Sequence, residues 1–546
     1  MSSVVSTDRL EWLRARDTAA STGPASDPTS FSREQSTSAS ASSEMSLLYS
    51  RVVGSDETRS KLPLLIARDL EERFIRDGWP AGRFYGGEIE LAEHYHVCRD
   101  VAREAVRILE SRDSARMRRG PNGGLELICP SEDHIRQMIG GYAFILNLLP
   151  EQLIEAWSLL HAVAARLAAA KMQATKPMPF AWHATSDASA AGIMQLRRFG
   201  SELVAQSSSQ LLQFLCAALV PLLPPAEQAK PVGWLTKFQQ RIQFDVAHGH
   251  IEDAARRSRL LFARTELAHL KALRQDARYT GLPAPHRQQG VSCQALTIVQ
   301  KLLRDVHPAD WENGRLLGNE FDLCDRYNVH RSVIRQAIRM MEDAGTATTL
   351  PGRGHGLVAS KPGSAPLSRQ ICNFLGSRRF PTADASRVAD GLQIEMAALA
   401  AHKSGADDAP LLSRMYEDLQ HLDQSTPISY FQPFERWQLG LARNPLLSVF
   451  VDGTKAFLSW DMAHELVAPY WIVSLYVERT RQVINAIQCR DWRAAARMQE
   501  LKLKKLQECR IILEMNRFRI GTNARHHCAI PKPDFAGQSD SHPRGG

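Results

Sequence analysis

The sequence predicts a mainly α-helical protein in which a compact unit and a longer helical segment each occur twice. The first observation is an internal repeat. Residues 79–125 and 311–357 align without a gap at an offset of 232, and 18 of the 47 positions are identical. Self-similarity at so long an offset indicates duplication of whole domains rather than a short solenoid repeat. The second observation is periodicity, because apolar residues in LIEAWSLLHAVAARLAAAKM and LQIEMAALAAHKS recur at helical spacings of three and four.

The bulk composition is typical of a soluble protein with several domains. The chain has 546 residues, which is too long for one core, with 44% hydrophobic and 23% charged residues. Its net charge of +8 permits nucleic-acid binding without requiring it. Nine cysteines without a CxxC pair argue against a disulfide framework or a zinc ribbon. Because no signal peptide or membrane-spanning stretch is visible, we expect a cytoplasmic, nucleoid-associated protein with no membrane partner.

Composition and periodicity also divide the chain into segments. Both ends are rich in small polar residues that bury too little apolar surface to fold, so they are predicted to be disordered. The predicted segments are a tail at 1–57, compact units at 58–130 and 281–361, helical segments at 131–280 and 362–520, and a second tail at 521–546.

Each compact unit has the pattern of a helix-turn-helix followed by a wing. An amphipathic helix and a Gly-containing turn lead into a short helix, EIELAEHY or EFDLCDRY. A tight break before Val97 or Val329 then leads into a second helix, which begins near Arg99 or Arg331. Two short strands around a Gly-rich turn follow, in ARMRRGPNGGLELI and in ATTLPGRGHGLVAS.

This ordered pattern resembles the winged helix-turn-helix of the GntR family of bacterial transcription regulators. In the first unit the resemblance rests on Glu88, Leu91, Val97-Cys98-Arg99, Arg103-Glu104-Ala105, Leu109-Glu110, Gly120 and Gly124. In the second unit it rests on Glu320, Leu323, Val329-His330-Arg331, Arg335-Gln336-Ala337, Met341 to Gly345, Gly352 and Gly356. The resemblance implies two winged helix-turn-helix domains, a double-stranded DNA operator as partner, and no enzymatic activity.

Paired arginines supply the physical case for DNA contact. Arg99 and Arg103 lie one helical turn apart on one face, and Arg331 and Arg335 repeat that spacing. The planar fork of arginine suits guanine edges and phosphates. A solvated helix face paired with neighbouring glutamates is the alternative, and it would be favoured for a lone pair of arginines. The predicted DNA-binding residues are Arg99, Arg103, Arg107, Arg118, Arg119, Gly120, Arg331, Ser332, Arg335, Arg339, Arg353 and His355.

Both units depart from the family pattern at two positions. The family usually has Ser or Thr before the first arginine, where it can cap the helix, but here Cys98 and His330 stand there. The family often has a basic residue after the glutamate of the short helix, and here Ile89 and Phe321 stand there. We therefore expect weaker binding than in a typical member, or a preference for different bases.

The long helical segments resemble the all-helical effector domain of the FadR subgroup, called FCD. PFERWQLGLARNPLL and VINAIQCRDWRAAARM carry the match in the second segment, and RFGSELVAQSSSQLL and IQFDVAHGHIEDAARR are diverged counterparts in the first. Many FCD domains hold a divalent metal through one Asp and three His. The aligned positions are Leu196, Gly200 and Gln239 in the first segment, and Phe431, Glu435, Thr480 and the neighbourhood of Lys502 in the second. We therefore expect no metal and no other cofactor.

A bundle without metal still leaves open a small organic effector between its helices. The candidate lining residues are Trp157, His161, Glu435, Trp437, Trp460 and Tyr470. Ordinary core packing is the alternative for each of them.

The leading functional hypothesis is a sequence-specific transcription regulator of GntR/FadR type. Tethering two protomer-like halves in one chain replaces dimerisation by a high effective concentration, so we expect a monomeric pseudo-dimer that reads an imperfect palindrome. A homodimer of whole chains is the alternative assembly. The alternative function is a small-molecule binding module or enzyme with vestigial DNA-binding heads, for which no nucleophile–base pair or phosphate loop is visible.

Overall fold

The computed structural model describes residues 62–120, 123–146, 148–174, 192–226, 235–275, 294–350, 356–360, 363–422, 431–459 and 470–522. This part of the chain is mainly helical, as the sequence predicts. Residues 1–57 and nearly all of 521–546, for which tails are predicted, lie outside the described residues, as do Arg353, His355 and Trp460.

The first compact unit, residues 62–128, is called the first head below. Its elements are α1 (Leu62–Arg76), α2 (Glu88–His94), α3 (Arg99–Ser111), β1 (Ala115–Arg118) and β2 (Gly124–Leu127). The two strands pair antiparallel, with Arg116 opposite Glu126, and Phe84 makes an isolated bridge to the same hairpin. Helices α1 and α3 pack together and bury the apolar residues of the head between them.

A connector helix and a bundle follow the first head. The connector is α4 (Glu132–Ile145). The first bundle consists of α5 (Pro150–Ala174), α6 (Gly192–Gln206), α7 (Gln210–Leu219), a 3-10 turn at Val220–Leu222, α8 (Leu235–Ala247) and α9 (Ile251–Arg274). Helix α5 runs through its centre and packs along α9.

The second head, residues 294–360, has counterparts of the five elements of the first, with one further short helix and one further short strand. It consists of α10 (Gln294–Asp305), α11 (Pro308–Asn313), β3 (Leu316–Gly318), α12 (Glu320–Tyr327), α13 (Arg331–Asp343), β4 (Ala347–Thr349) and β5 (Leu357–Ala359). Strand β5 lies between β3 and β4 in an antiparallel sheet. The break before each second helix is a left-handed residue at the same repeat position, His96 with φ 51° and Asn328 with φ 50°. Asn tolerates the left-handed backbone region better than most residues do. In the second head the turn before α13 is therefore favoured by the local sequence.

The second connector and bundle complete the described chain. They consist of α14 (Ala365–Ser377), α15 (Thr382–Lys403), 3-10 turns at Ala406–Asp408 and Leu419–His421, α16 (Ala409–Asp418), α17 (Gln432–Leu441), α18 (Pro445–Ser459), α19 (Tyr470–Gln488) and α20 (Trp492–Thr522). Helix α15 is the central helix here, since it packs on α17, α18 and α20.

The two bundles share one hydrophobic core. Helices α5 and α15 cross so closely that a Cβ added at Gly391 would lie 2.7 Å from Val163 Cγ1. Buried residues from both bundles belong to one continuous apolar cluster. Polar contacts close its margin, with Arg166 paired to Glu395 at 3.3 Å and Lys403 to Glu155 at 2.8 Å. The halves are therefore held together as the inside of a protein is, by close-packed apolar side chains.

Each head packs on the connector helix of the other half. In the first head Ile75 packs against Gly376 on α14, and the Gly78 carbonyl accepts a hydrogen bond of 3.1 Å from Arg379. The core of the second head packs against Phe144, which lies on α4. The repeat offset relates Phe144 to Gly376, so the crossing is reciprocal.

Helix α5 is also, within the described residues, the helix long and apolar enough to span a membrane. Of its most apolar window, 83% is buried by the surrounding bundle. That burial is characteristic of a core helix.

Candidate nucleic-acid interface

In the first head a single carboxylate holds both members of the predicted arginine pair. Glu88, at the start of α2, accepts hydrogen bonds through Oε2 from Arg99 Nε at 3.3 Å and from Arg103 Nε at 3.2 Å. Arg103 also donates to Asp100 at 3.0 Å. Because their Nε groups are occupied, the terminal amino groups at the outer end of α3 are held in a fixed direction.

The second head repeats this arrangement at the same offset. Glu320 accepts from Arg331 Nε at 2.7 Å and from Arg335 Nε at 3.1 Å. Burial alone would raise the pKa of Glu320, but the hydrogen bonds from the two arginines outweigh it and lower that pKa below its usual range. The carboxylate is therefore ionised at neutral pH and holds both guanidinium groups. Both glutamates belong to the sequence motif, yet their role as acceptors was missed; the constant separations of 11 and 15 residues from the arginines were the available signal.

The two helices begin differently. His330 Nδ1 accepts a hydrogen bond of 3.3 Å from the backbone nitrogen of Ser332, so the imidazole caps α13. Cys98 makes no such side-chain bond at the start of α3. The departure from Ser or Thr thus leaves one helix capped by an unusual group and the other without a side-chain cap.

Helices α3 and α13 pack directly against each other. Glu104 on α3 forms an ion pair with Arg339 on α13, and a cleft of about 480 Å³ lies between the helices. The cleft is lined by Asp100, Arg103, Glu104, Arg107, Ile108, Ser111, Glu320, Arg335, Gln336, Arg339 and Met340. Four predicted DNA-binding arginines from two heads therefore converge on one surface, although they lie about 232 residues apart in sequence.

Three further predicted residues, Arg119, Gly120 and Ser332, are exposed. Arg118 is exposed too, but it is tied to Glu126 on the neighbouring strand of the hairpin.

A scan against protein-family models finds a match in the second head. Residues 294–357 match the model described as bacterial regulatory proteins, gntR family. The chain therefore carries a GntR-type helix-turn-helix domain. This GntR-type domain covers α10 to the first residue of β5, including the arginine pair and its glutamate. Such a domain indicates a DNA-binding transcription regulator.

The chain was also compared with solved structures and with curated proteins. A solved structure, Streptococcus agalactiae GntR, is 18% identical; the match covers 39% of this chain and 99% of that chain, with a TM-score of 0.28. No curated protein matches the sequence significantly.

The five described residues among those predicted to line an effector site do not meet at one place. Trp157 and His161 lie fully buried in the first bundle, where the imidazole stacks on Phe262 with ring centroids 4.0 Å apart. A Cβ added at Gly200 would lie 2.5 Å from His161 Nε2, so this region is filled. Tyr470 is 63% exposed at the start of α19, which places it at the surface rather than in the bundle interior.

Glu435 lies in the second bundle within a cluster of buried charges. It accepts hydrogen bonds from Lys502 Nζ at 2.5 Å, Tyr476 Oη at 2.8 Å and Lys455 Nζ at 3.3 Å. Burial opposes its ionisation, but the two ammonium groups and the hydrogen bonds prevail and lower the pKa of Glu435 to about 2. Trp437, on the same helix, packs against the neighbouring apolar cluster.

That charge cluster bears on the metal question. Glu435, which aligns with a family metal ligand, accepts a hydrogen bond from Lys502, which lies in the neighbourhood of another aligned position. Within the described residues no group of three or more His, Cys, Asp or Glu side chains is placed to hold a metal ion. An ammonium group next to the carboxylate is a poor surrounding for a divalent cation, because like charges repel strongly in a buried site. The absence of a metal remains a prediction.

Proposed function

We propose that this protein is a sequence-specific transcription regulator of the FadR subgroup in which a whole protomer is duplicated in tandem. On this proposal each head is a winged helix-turn-helix and each bundle an FCD-like domain. The observation that carries the proposal is the arginine pair bound by one glutamate, which recurs at the same offset in both heads.

The packing of the halves supports an intramolecular counterpart of a dimer. The central helices α5 and α15 occupy matching repeat positions and form the joint core. The heads cross over reciprocally onto α4 and α14. One chain thus supplies two readers of DNA without a second copy.

The contact between α3 and α13 sets the spacing of the two half-sites. Packed helices have axes about 8–10 Å apart, whereas successive major-groove faces on one side of DNA are about 34 Å apart. Both helices therefore address one stretch of groove, and the two half-sites adjoin. Because the heads differ at Cys98 and His330 and at Asp100 and Ser332, the two half-sites are unlike.

Selection of bound sites from random DNA tests the proposal. We expect one contiguous, imperfect palindrome with adjoining half-sites. Half-sites whose centres lie about 10 bp apart would contradict the packed arrangement of α3 and α13. If no preferred sequence is recovered at any salt concentration, the proposal of a sequence-specific regulator is contradicted.

Paired substitutions then assign each head to its half-site. Arg99→Ala/Arg103→Ala should remove the preference at one half-site, and Arg331→Ala/Arg335→Ala at the other, since each arginine–guanine pair contributes about 1–3 kcal/mol of discrimination. A matched control removes two arginines from the first bundle, Arg198 and Arg241, and should leave the selected sequence unchanged.

Size measurement by light scattering tests the pseudo-dimer. We expect one chain free in solution and one chain on each operator. A stable dimer of chains, carrying four heads, would overturn this part of the proposal while leaving DNA recognition intact.

A further inference from the structure

Each head exposes a large apolar side chain beside its arginine pair. Phe321, the residue after Glu320, is 65% exposed, and Ile89, the residue after Glu88, is 57% exposed. Scattered apolar residues on a surface are ordinary. These two are different, because they occupy the same repeat position and follow the glutamate that holds the arginines.

In the second head, Phe321 lies directly beside the arginine pair. The Arg331 guanidinium carbon lies 4.9 Å from the centroid of the Phe321 ring. Together they line a cleft of about 260 Å³. Its lining includes Arg335 from α13, and Leu350 and Leu357 from the hairpin.

This cleft combines an apolar wall with fixed hydrogen-bond donors. Phe321, Leu350 and Leu357 supply the apolar part, and the guanidinium groups held by Glu320 supply the donors. The major groove offers the same combination. Guanine presents acceptors that pair with arginine, and thymine presents a C5 methyl group that apolar side chains contact.

We infer that Phe321 contacts the C5 methyl group of a thymine adjacent to the base read by Arg331, and that Ile89 has the same role in the first head. This inference rests on the proposed function and makes residues 321 and 89 determinants of sequence preference. DNA is favoured over an apolar protein partner because such a partner would cover the guanidinium of Arg331 and strip it of water without supplying an anion. An aliphatic and an aromatic side chain differ in reach, so the two half-sites differ at this thymine.

Replacing single thymines of the selected operator by deoxyuridine tests the methyl contact. One apolar methyl group buried from water is worth about a fourfold change in affinity. We expect the wild-type protein to lose about fourfold at one thymine in the second head's half-site. Phe321→Ala should bind the thymine and uracil operators equally. Replacing the same thymine–adenine pair by 5-methylcytosine paired with guanine retains the methyl group while an amino donor replaces the thymine O4 acceptor.

Controls separate this inference from the proposed function. Ile89→Ala should remove the thymine dependence only in the other half-site. Leu411→Ala, which truncates an exposed leucine on α16, should leave the thymine dependence of both half-sites unchanged. If Phe321→Ala weakens binding to the thymine and uracil operators by the same factor, the roughly fourfold difference between them persists. In that case the ring serves only to position Arg331, and the inference is overturned. If Arg331→Ala/Arg335→Ala keeps full sequence preference, the proposed function fails instead.

Discussion

Glu104 on α3 and Arg339 on α13 form an ion pair that joins the two helices carrying the arginine pairs. The repeat offset relates Arg339 to Arg107 and Glu104 to Gln336. The symmetric counterpart would therefore pair Arg107 with an uncharged amide. The Glu104–Arg339 ion pair therefore occupies one of two positions that the repeat relates, and the other combines Arg107 with the Gln336 amide.

Restoring the missing half of this symmetry should stabilise the head pair. Gln336→Glu places a carboxylate where Arg107 can pair with it, as Arg339 pairs with Glu104. We expect a gain of about 0.2–1 kcal/mol in the free energy of unfolding, the range for partly exposed ion pairs. A double-mutant cycle with Arg107→Ala, followed by urea unfolding, isolates this coupling. A gain that persists in the Arg107→Ala background would contradict the pairing.

His161 should make stability depend on pH in a defined range. Burial lowers the pKa of His161 to about 4, although its bond to the Trp157 carbonyl works against this shift. Between pH 6.5 and 4 the unfolded chain binds a proton there that the folded chain does not, so stability falls as the pH falls through that range. Two and a half pKa units correspond to at most about 3 kcal/mol.

The chain itself suggests a variant without this titration. Gln393 occupies the repeat position of His161 and donates to the Ala389 carbonyl at 3.2 Å, one helical turn back. His161→Gln should therefore keep the local bond and lose the dependence between pH 6.5 and 4. Unfolding by urea at several pH values measures the difference between the variant and the wild-type protein. Parallel curves would show that His161 carries no such linkage.

Gly391 should be intolerant of any side chain. An added Cβ would lie 2.7 Å from Val163 Cγ1, where the bundles cross. We expect Gly391→Ala to destabilise the protein by about 1–3 kcal/mol through overpacking, despite the higher helix propensity of alanine.

Two further variants test the cause of that loss. Val163→Ala provides room, so adding Gly391→Ala to it should be neutral or stabilising. Gly440→Ala, in a helix with open space around the glycine, should also be neutral or stabilising. If thermal unfolding shows the same loss of stability for Gly391→Ala and Gly440→Ala, the cause is a backbone effect and not the close contact between α5 and α15.

Lys502 should be needed to keep Glu435 buried. Lys502→Met removes one of two ammonium groups beside that carboxylate, and breaking a buried ion pair costs about 3–5 kcal/mol. Because Lys455 still pairs with Glu435 at 3.3 Å, the carboxylate keeps one ammonium partner, and adding Glu435→Gln should cost less in this background than in the wild-type protein. Chemical unfolding of the single and double variants measures this difference. If Lys502→Met is as stable as the wild-type protein, Lys455 and Tyr476 are sufficient to keep the Glu435 carboxylate buried.

Local sequence features predicted much of the arrangement within each head. The turn before Val329, the helix beginning at Arg331 and the hairpin pattern follow from short-range propensity, and the structure places them as predicted. The glutamate that holds each arginine pair lies on the preceding helix, so its role as acceptor depends on the turn that packs the two helices together. The recurring separations of 11 and 15 residues were the signal for this role. Contacts between halves had no such signal, because the Glu104–Arg339 pair depends on how two distant units dock.

Interior packing was the least predictable part. A tryptophan and a histidine one turn apart, Trp157 and His161, are compatible with a ligand cavity or with a solid core. Which one occurs depends on Phe262 and Gly200, which come from other helices. Tyr470 carries the same aromatic signal yet lies at the surface, since only the neighbouring elements decide which face of α19 is covered.

The reciprocal docking of heads also constrains the order of events during synthesis. The Gly78 carbonyl of the first head bonds to Arg379, 301 residues later in the chain. At ~5–20 residues per second, about 15 to 60 s pass before the ribosome has made that partner. The first head must therefore leave the ribosome with its docking face uncovered, and it can be completed only when the second connector emerges. A nascent chain stalled before α14 would carry α3 in a head that lacks the hydrogen bond from Arg379.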